Sequence, residues 1–579
     1  MKIARLKIFN FRGIKRARLY FGGHSVLVGD NNVGKSTILE AIDLVLGPER
    51  LSKVVVIDEH DFFAGDYIGD DENPIVIEIE VIITDLNAAQ LRHFRNNIEW
   101  WDTDKGRLIK EPPANQTDKE NVLPALRVCF RGYYDSEEDD FIGRTFYCSP
   151  ENENGDLASF TTKDKRLCGF IYLRTIRTGN RALSLERGSL LDIILKLKDI
   201  RPQMWEDILE KLRSVTVADK PELGITDILQ DIQIALGKIV PTEWIKNPRL
   251  QVSDLTREHL RRILTVFIET GAVSRTGNQY SAPFNHQGSG TINALVLVLL
   301  SMIAELKQNV IFAMEEPEIA IPPCTQKRII NSIMEKSSQA IFTSHSPYVL
   351  EEFEPSNILV ISRDDKGSLK GISARYPVKQ KLYRDEFRKK LCEGLLARRV
   401  LIVEGRTEYD SYSLCSKKLH AIKPDEYKSF DALGLAIVNA ETDSQMVDLG
   451  NFFNSLGKEV YAICDKQKDE NITKIQKAVD HCFESPEKGF EDLLLKNVPI
   501  SILRKYASSL VEDNNWPSHY KTNPVKVDDD DEFKSVLGRF LKDKKGSGEA
   551  AVLLSMCQED EMPDFIQKTL KYIKKAIEG

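Results

Sequence analysis

The sequence predicts an α/β protein built as two successive units, and three observations predict it. A Gly-rich turn joins an apolar strand to a helix near the N-terminus ("HSVLVGDNNVGKSTILE", 24–40). A second apolar strand runs into an acid-Gly turn and another helix far downstream ("VLIVEGRTEYD", 400–410). Segments of strand period and helix period alternate after each of them. A chain of 579 residues, at roughly 100–200 residues per domain, implies three or four domains.

The elements follow in order. "KIARLKIFNFRGI" alternates apolar and polar residues, and "STILEAIDLVL" carries its apolar residues at helical spacing. "IVIEIEVIITD" (75–85) is strand from its β-branched content. Residues 100–165 read as polar and irregular, with "EPPANQTDKEN" and "SPENENGD" as loops between short strands. From 183 to 245 the period turns helical ("LLDIILKLKDI", "MWEDILEKLRSV", "ITDILQDIQIALGKI"), which reads as an insertion. Strand and helix alternate again from 260 to 375. A second α/β unit begins at "RRVLIVEG". The acidic run "DDDDE" (528–532) reads as a loop or linker. The expected boundaries are 1–175 and 259–377 for the two parts of the first α/β domain, 176–258 for the helical insertion, and 378–579 for the second α/β domain.

Composition narrows the function classes. A hydrophobic content of 42% with 29% charged residues is that of a soluble globular chain. The longest apolar run, "ALVLVLLSMIA" (294–304), is too short to cross a bilayer. The N-terminus lacks the apolar stretch of a signal peptide. Nine cysteines without a CxxC pair argue against a disulfide framework and a zinc ribbon, and point to a reducing cytoplasm. A net charge of −8 supplies no field to attract nucleic acid. Local basic patches or bound metal must hold DNA if it is a partner. The candidate patches are "KQKLYRDEFRKK" (379–390) with Arg398 and Arg399, and "LKDKKGSG" (541–548); taken alone, such runs are most often solvated faces.

"GDNNVGKST" (29–37) fits G-x-x-x-x-G-K-[ST] between a strand and a helix. Gly29, Asn32 and Gly34 shape the loop, and its backbone N–H groups suit phosphate oxygens. Lys35 reaches the β- and γ-phosphates, and the hydroxyl of Ser36, followed by Thr37, suits Mg²⁺. Downstream, "NVIFAMEEPE" (309–318) is a strand ending in Glu315 and Glu316. The first acid is placed to hold Mg²⁺ and the second to polarise the attacking water. "IFTSHSP" (341–347) ends in His345, a sensor for the γ-phosphate, and "NHQGSGTINAL" (285–295) is a Gly/Ser turn opening a helix.

Phosphate loop, Ser-Gly signature, Glu-Glu-Pro strand and switch His, in this order, resemble the ABC-type ATPase heads of the RecF/SMC class. "NFRGI" near the N-terminus fits that class and adds Arg12 to the nucleotide contacts it implies. The resemblance further implies that Ser289 and Gly290 complete the ATP site of a partner subunit, so that the chain works as a homodimer or a higher homo-oligomer.

In "VLIVEGRTEYD", Glu404 ends the strand, Gly405 allows a tight turn, and Glu408 lies one helical turn on, so that both carboxylates can face one pocket. Like charges that close call for a cation, and hard divalent ions prefer such oxygen clusters. "YAICDKQKDE" (461–470) is another short strand, delivering Asp465. The same fragment followed by such a strand resembles Toprim domains. An ABC head with a C-terminal Toprim domain resembles the OLD (overcoming lysogenisation defect) nucleases, which include the nuclease subunit of Gabija-type phage defence and retron-associated relatives. "IYLRTIRTGNRALSLERGSLL" (171–191) also resembles that family.

What the resemblance implies is an ATP-binding and hydrolysing DNA endonuclease, dependent on one or two Mg²⁺ or Mn²⁺ ions and active in antiviral defence. The helical insertion is then a dimerisation element. A helicase, or a reverse transcriptase with its RNA–DNA product, is a further possible partner. Glu404 and Glu408 match the first Toprim acids, with Glu404 also catalytic, and Asp465 matches the first acid of a D-x-D pair that Gln467 breaks. Asp469 substitutes only if the backbone turns back. In "KGFEDLLL" (488–495) Glu491 is the further ligand and Asp492 the second choice. Lys545 in "KDKKGSG" joins Glu316 and His345 among the catalytic groups. The competing expectation is a nucleotide-switched protein that binds DNA or a partner through a degenerate Toprim domain.

Overall fold

A computed structural model of the chain describes residues 1–48, 56–69, 73–109, 121–151, 156–173, 185, 189–198, 201–214, 225–238, 256–273, 275, 277–306, 310–319, 321–375, 385–520 and 522–579. They form two compact units. One comprises Met1–Ala4, Leu39–Asp58 and Ile79–Phe342, the other Arg5–Ile38, Glu59–Glu78 and Thr343–Gly579.

In the first unit, strand Phe170–Leu173 pairs in parallel with Ile311–Glu315, from Phe170 opposite Ile311 to Leu173 opposite Met314. Ile311 to Met314 are all buried, as an unbroken apolar run requires when both faces of a strand are covered. The region expected to be irregular is instead a long hairpin. Val122–Asp135 pairs antiparallel with Asp140–Glu151, and with Ile98–Asp102 on its other side. Its core comes from Ala125, Leu126, Val128, Cys129 and Phe130. Charged residues scattered through the segment mask this short apolar core in the sequence.

The helical period over 183–245 appears as helices Leu190–Leu197, Arg201–Ser214 and Ile225–Gly237. Ser189 caps the first of these by accepting from Asp192 N (3.1 Å). Residues 174–184 and 186–188 of the family-like segment, 215–224 and 239–255 of the insertion, and 379–384 of the first basic patch lie outside the described residues.

In the second unit, Lys2–Phe11 from Arg5 onward pairs antiparallel with Ile14–Tyr20. Ile14–Tyr20 runs parallel to Ser368–Ser373, which returns antiparallel to Ile358–Arg363. Ile358–Arg363 in turn lies parallel to Ser25–Val28. A separate four-stranded sheet has the order Leu435–Asn439, Arg399–Val403, Glu459–Cys464, His481–Glu484, all parallel. In the chain, Arg399–Val403 comes first, yet it lies between the second and third strands. The order therefore reverses at its edge, and an α/β sheet opens its ligand crevice at the carboxyl ends of the strands flanking such a reversal. Those ends carry Glu404 and Asp465.

Helices Phe490–Asn497, Ile500–Glu512, Asp530–Asp543, Glu549–Met556 and Asp564–Glu578 complete this domain. They share a core that includes Leu494, Tyr506, Phe540, Leu553 and Ile566. The "DDDDE" run is a helix start rather than a linker. Asp529 accepts from Glu532 N (2.8 Å), and Asp530, Asp531 and Glu532 occupy the first turn, where the helix dipole favours negative charge. None of the nine cysteines forms a disulfide. Among the described residues, no helix is long and apolar enough to cross a membrane.

Candidate functional site

The phosphate loop follows strand Ser25–Val28 and opens helix Lys35–Leu46. Its path requires its glycines. Gly29 has φ +149°, and a Cβ there would stand 2.4 Å from the Ile361 carbonyl oxygen. Gly34 has φ +109° and lies against Leu369 and Ile14. Asn32, at φ 65°, uses the left-handed region that Asn tolerates. Lys35 is buried, and its Nζ donates to Gly29 O (2.7 Å) and Asp30 O (2.8 Å). The ammonium therefore lies over the loop's own backbone. Ser36 is exposed and Thr37 half-buried at the helix N-terminus. Ser344 N donates to Leu27 O (3.4 Å), which sets the exposed His345 beside the strand that feeds the loop.

Arg12 is engaged within the protein. Its Nε donates to Asp61 Oδ1 (2.8 Å) and its backbone N–H to Asp61 O (2.8 Å). In the first unit, Glu315 ends its strand and accepts from the Tyr172 hydroxyl. Glu316 follows at φ 45°, a sparsely populated backbone conformation for a non-glycine residue. Ser289 and Gly290 open helix Ser289–Leu306.

The second site gathers residues from four segments of one unit. Glu404 follows strand Arg399–Val403, and Glu408 lies in the first turn of helix Arg406–Ile422. A Cβ at Gly405 would stand 2.7 Å from Glu408 Oε2, so the glycine leaves room for the carboxylate. Glu408 is 2% exposed and Glu491 3%. Glu408 Oε2 and Glu491 Oε1 are buried without a hydrogen-bond partner. Burial pushes Asp465 up to about 8, reinforced by the charges of Glu408, Glu404 and Glu491. Burial also raises Glu408, with Glu491 adding to it. Lys545 faces the same group. Burial opposes its ammonium, but Glu491, Glu408, Asp465 and Glu404 outweigh that and hold its pKa above the ordinary lysine value. Gly546 N donates to Thr407 Oγ1 (3.0 Å), tying the Lys545 loop to the Glu408 helix.

Two sequence expectations land elsewhere. Asp469 opens helix Asp469–Ala478 and is exposed. Asp492 pairs with Lys542 (2.7 Å). Within the basic patches, Arg399 pairs with Glu459 (2.8 Å) across the sheet. Sequence reasoning missed Thr407, and it marked Gln467 only as the residue that breaks the D-x-D pair. In the structure Gln467 Nε2 donates to Glu404 Oε2 (3.2 Å). No periodicity or spacing signals either contact.

Among the described residues, no group of three or more His, Cys, Asp or Glu side chains stands arranged to hold a metal ion. The donor set nevertheless suits a hard divalent cation. It is all carboxylate oxygen, and two of the oxygens are buried without a donor. A cleft of about 710 Å³ opens beside Glu404, lined by Glu441, Thr442, Ser444, Asn471 and Lys474 among others.

Two family models match the chain one after the other. The family model described as AAA ATPase domain matches residues 1–350, and the model described as overcoming lysogenization defect protein-like, TOPRIM domain matches 395–466. The chain is 25% identical to the OLD nuclease of Thermus scotoductus, over 70% of this chain and 71% of that protein. It is 22% identical to Endonuclease GajA of Bacillus cereus, over 99% and 91% of the two chains. It is 20% identical to the Old nuclease of Escherichia phage P2, over 80% and 77%. The chain belongs to the AAA ATPase domain family, and it is an enzyme in which that ATPase is followed by an overcoming lysogenization defect protein-like Toprim domain.

Proposed function

We propose that the chain binds and hydrolyses ATP and cleaves DNA with Mg²⁺ or Mn²⁺ held by the Toprim acids, in defence against phage. The observation that carries this reading is the pair of buried, partnerless oxygens, Glu408 Oε2 and Glu491 Oε1, in one cluster with Glu404, Asp465 and Lys545. Buried carboxylate oxygens are costly without a partner, and a divalent cation is the partner their chemistry suits. Glu404, Glu408, Asp465 and Glu491 would hold it. When bound, such an ion lowers the pKa of water and polarises a phosphodiester.

The remaining steps belong to the protein. Lys545 keeps its proton because four carboxylates face it, and it offsets charge developing on the phosphate oxygens during attack. The Thr407–Gly546 hydrogen bond sets the distance between that lysine and the acids. The cleft beside Glu404 gives a DNA strand its approach. Four acids against one lysine repel a polyanion, so binding of DNA at this point depends on the cation. In the ATPase, Lys35 and Ser36 take the phosphates and Mg²⁺ and His345 senses the γ-phosphate; Glu315 is read as a Mg²⁺ ligand and Glu316 as the group that polarises the attacking water. Ser289 and Gly290 complete the site of a second copy. Residues 1–175 and 259–377 form this ATPase, 176–258 the dimerising insertion and 378–579 the Toprim domain.

The test is incubation of supercoiled plasmid with the purified chain and Mg²⁺ or Mn²⁺, with and without ATP. Nicked or linear product is expected, abolished in Asp465→Ala while ATP hydrolysis persists. Lys35→Ala should abolish ATP hydrolysis. Intact plasmid under every combination of metal and nucleotide would refute the nuclease reading.

A further inference from the structure

We infer that Gln467 is a positioning residue that pins Glu404 through an amide N–H and thereby restricts the acid cluster to one divalent cation. The inference rests on the metal-dependent reading above and specifies its stoichiometry.

Glu404 Oε2 receives two donors from the exit of the Asp465 strand, the backbone N–H of Asp465 (3.0 Å) and Nε2 of Gln467 (3.2 Å). The amide face is chemically determined. A carboxylate oxygen accepts only, so the atom of Gln467 that faces it is the nitrogen. The turn carrying Gln467 is itself fixed at two points. Gln467 N donates to Glu484 Oε1 (2.9 Å) and Lys466 N to Glu487 O (2.8 Å). Glu404 Oε2 therefore accepts from two N–H groups of that turn.

The cluster is thus asymmetric. At one end, Glu408 Oε2 and Glu491 Oε1 are buried and without a donor. At the other, the position two residues after Asp465 turns a neutral amide N–H toward Glu404 and brings no negative charge to hold a cation. A single ion fits the first end. A second ion beside Gln467 would have to displace a hydrogen bond and gain no charge in return. A carboxylate at 467 would reverse this. It would lose the bond to Glu404, repel it, and create a second all-oxygen position.

The test is Mn²⁺ titration of the full chain without nucleotide, with free and bound Mn²⁺ followed by electron paramagnetic resonance. The wild type should bind one Mn²⁺ that is lost in Asp465→Asn. Gln467→Glu should bind two, with the spectral broadening of an exchange-coupled pair. Gln467→Met, which keeps size but not the N–H, should remain at one Mn²⁺ with a Kd weaker by roughly 10–100-fold, as for other groups that orient a metal ligand. Two Asp465-dependent ions in the wild type overturn the inference. So does a Gln467→Glu count of one together with an unchanged Kd in Gln467→Met. A wild type that binds no Mn²⁺ overturns the metal-dependent reading as well, and the two failures are thereby distinguished.

Discussion

The phosphate loop and the Toprim cluster both offer polar groups to phosphate chemistry, but they are built from different material. The loop is a contiguous stretch of backbone, and its first glycine, Gly29, meets the backbone of Ile361. The cluster is made of side chains brought together from residues 404–408, 465–467, 491 and 545, and its glycine meets the end of a carboxylate. Backbone cannot give way without moving a strand, whereas a side chain can rotate. The two sites should therefore differ in how they tolerate the same small change.

The largest effect in that comparison is expected for Gly29→Ala. The added methyl would stand 2.4 Å from the Ile361 carbonyl oxygen at φ +149°, so ATP binding, followed with a fluorescent analogue, should be lost. Gly405→Ala puts its methyl 2.7 Å from Glu408 Oε2, and Glu408 turns aside. Plasmid nicking should fall while the protein remains folded, and part of the loss should return at higher Mn²⁺. Equal tolerance of both substitutions would remove the contrast.

Next comes Lys545→Met, which keeps the aliphatic stem and removes the charge that four acids face. Nicking rate should drop about 10²–10³-fold, the scale for loss of one transition-state donor, with ATP hydrolysis unaltered.

The smallest effect concerns Lys458, which begins the Asp465 strand region and donates to Leu395 O (2.9 Å) and Ala397 O (2.6 Å). Burial pulls its pKa from 10.5 down to about 8. Between these values the unfolded chain holds the proton more than the folded one, so this group makes stability rise with pH from about 8 to 10.5. Urea midpoints at pH 8, 9 and 10 should show a shallower rise in Lys458→Met than in wild type. Parallel slopes would show that the buried ammonium does not titrate in this range.

The contrast also explains what was legible in advance. The placement of the phosphate loop between strand and helix could be read in advance, because a contiguous motif of Gly, Lys and Ser dictates its own backbone path. Glu404, Glu408 and Asp465 were legible from strand-end spacing. Glu491 and Lys545 entered only through resemblance, since they lie on helix Phe490–Asn497 and in the loop after Asp530–Asp543, far along the chain. Asp469 could stand in for the missing acid only if the backbone turned back after Asp465. It lies instead in a helix, and a helix turns successive side chains to different sides.

By itself the sequence determined the α/β class, the phosphate loop and the strand ends that carry acids. These follow from local period and local turn chemistry. Only the tertiary structure decided which acids share a pocket, that Lys545 faces them, and that Gln467 serves as donor to Glu404 rather than ligand to an ion. The physical reason is that hydrogen bonds and charge interactions between distant segments depend on sheet order. Here the reversal at strand Arg399–Val403 set Glu404 beside Asp465.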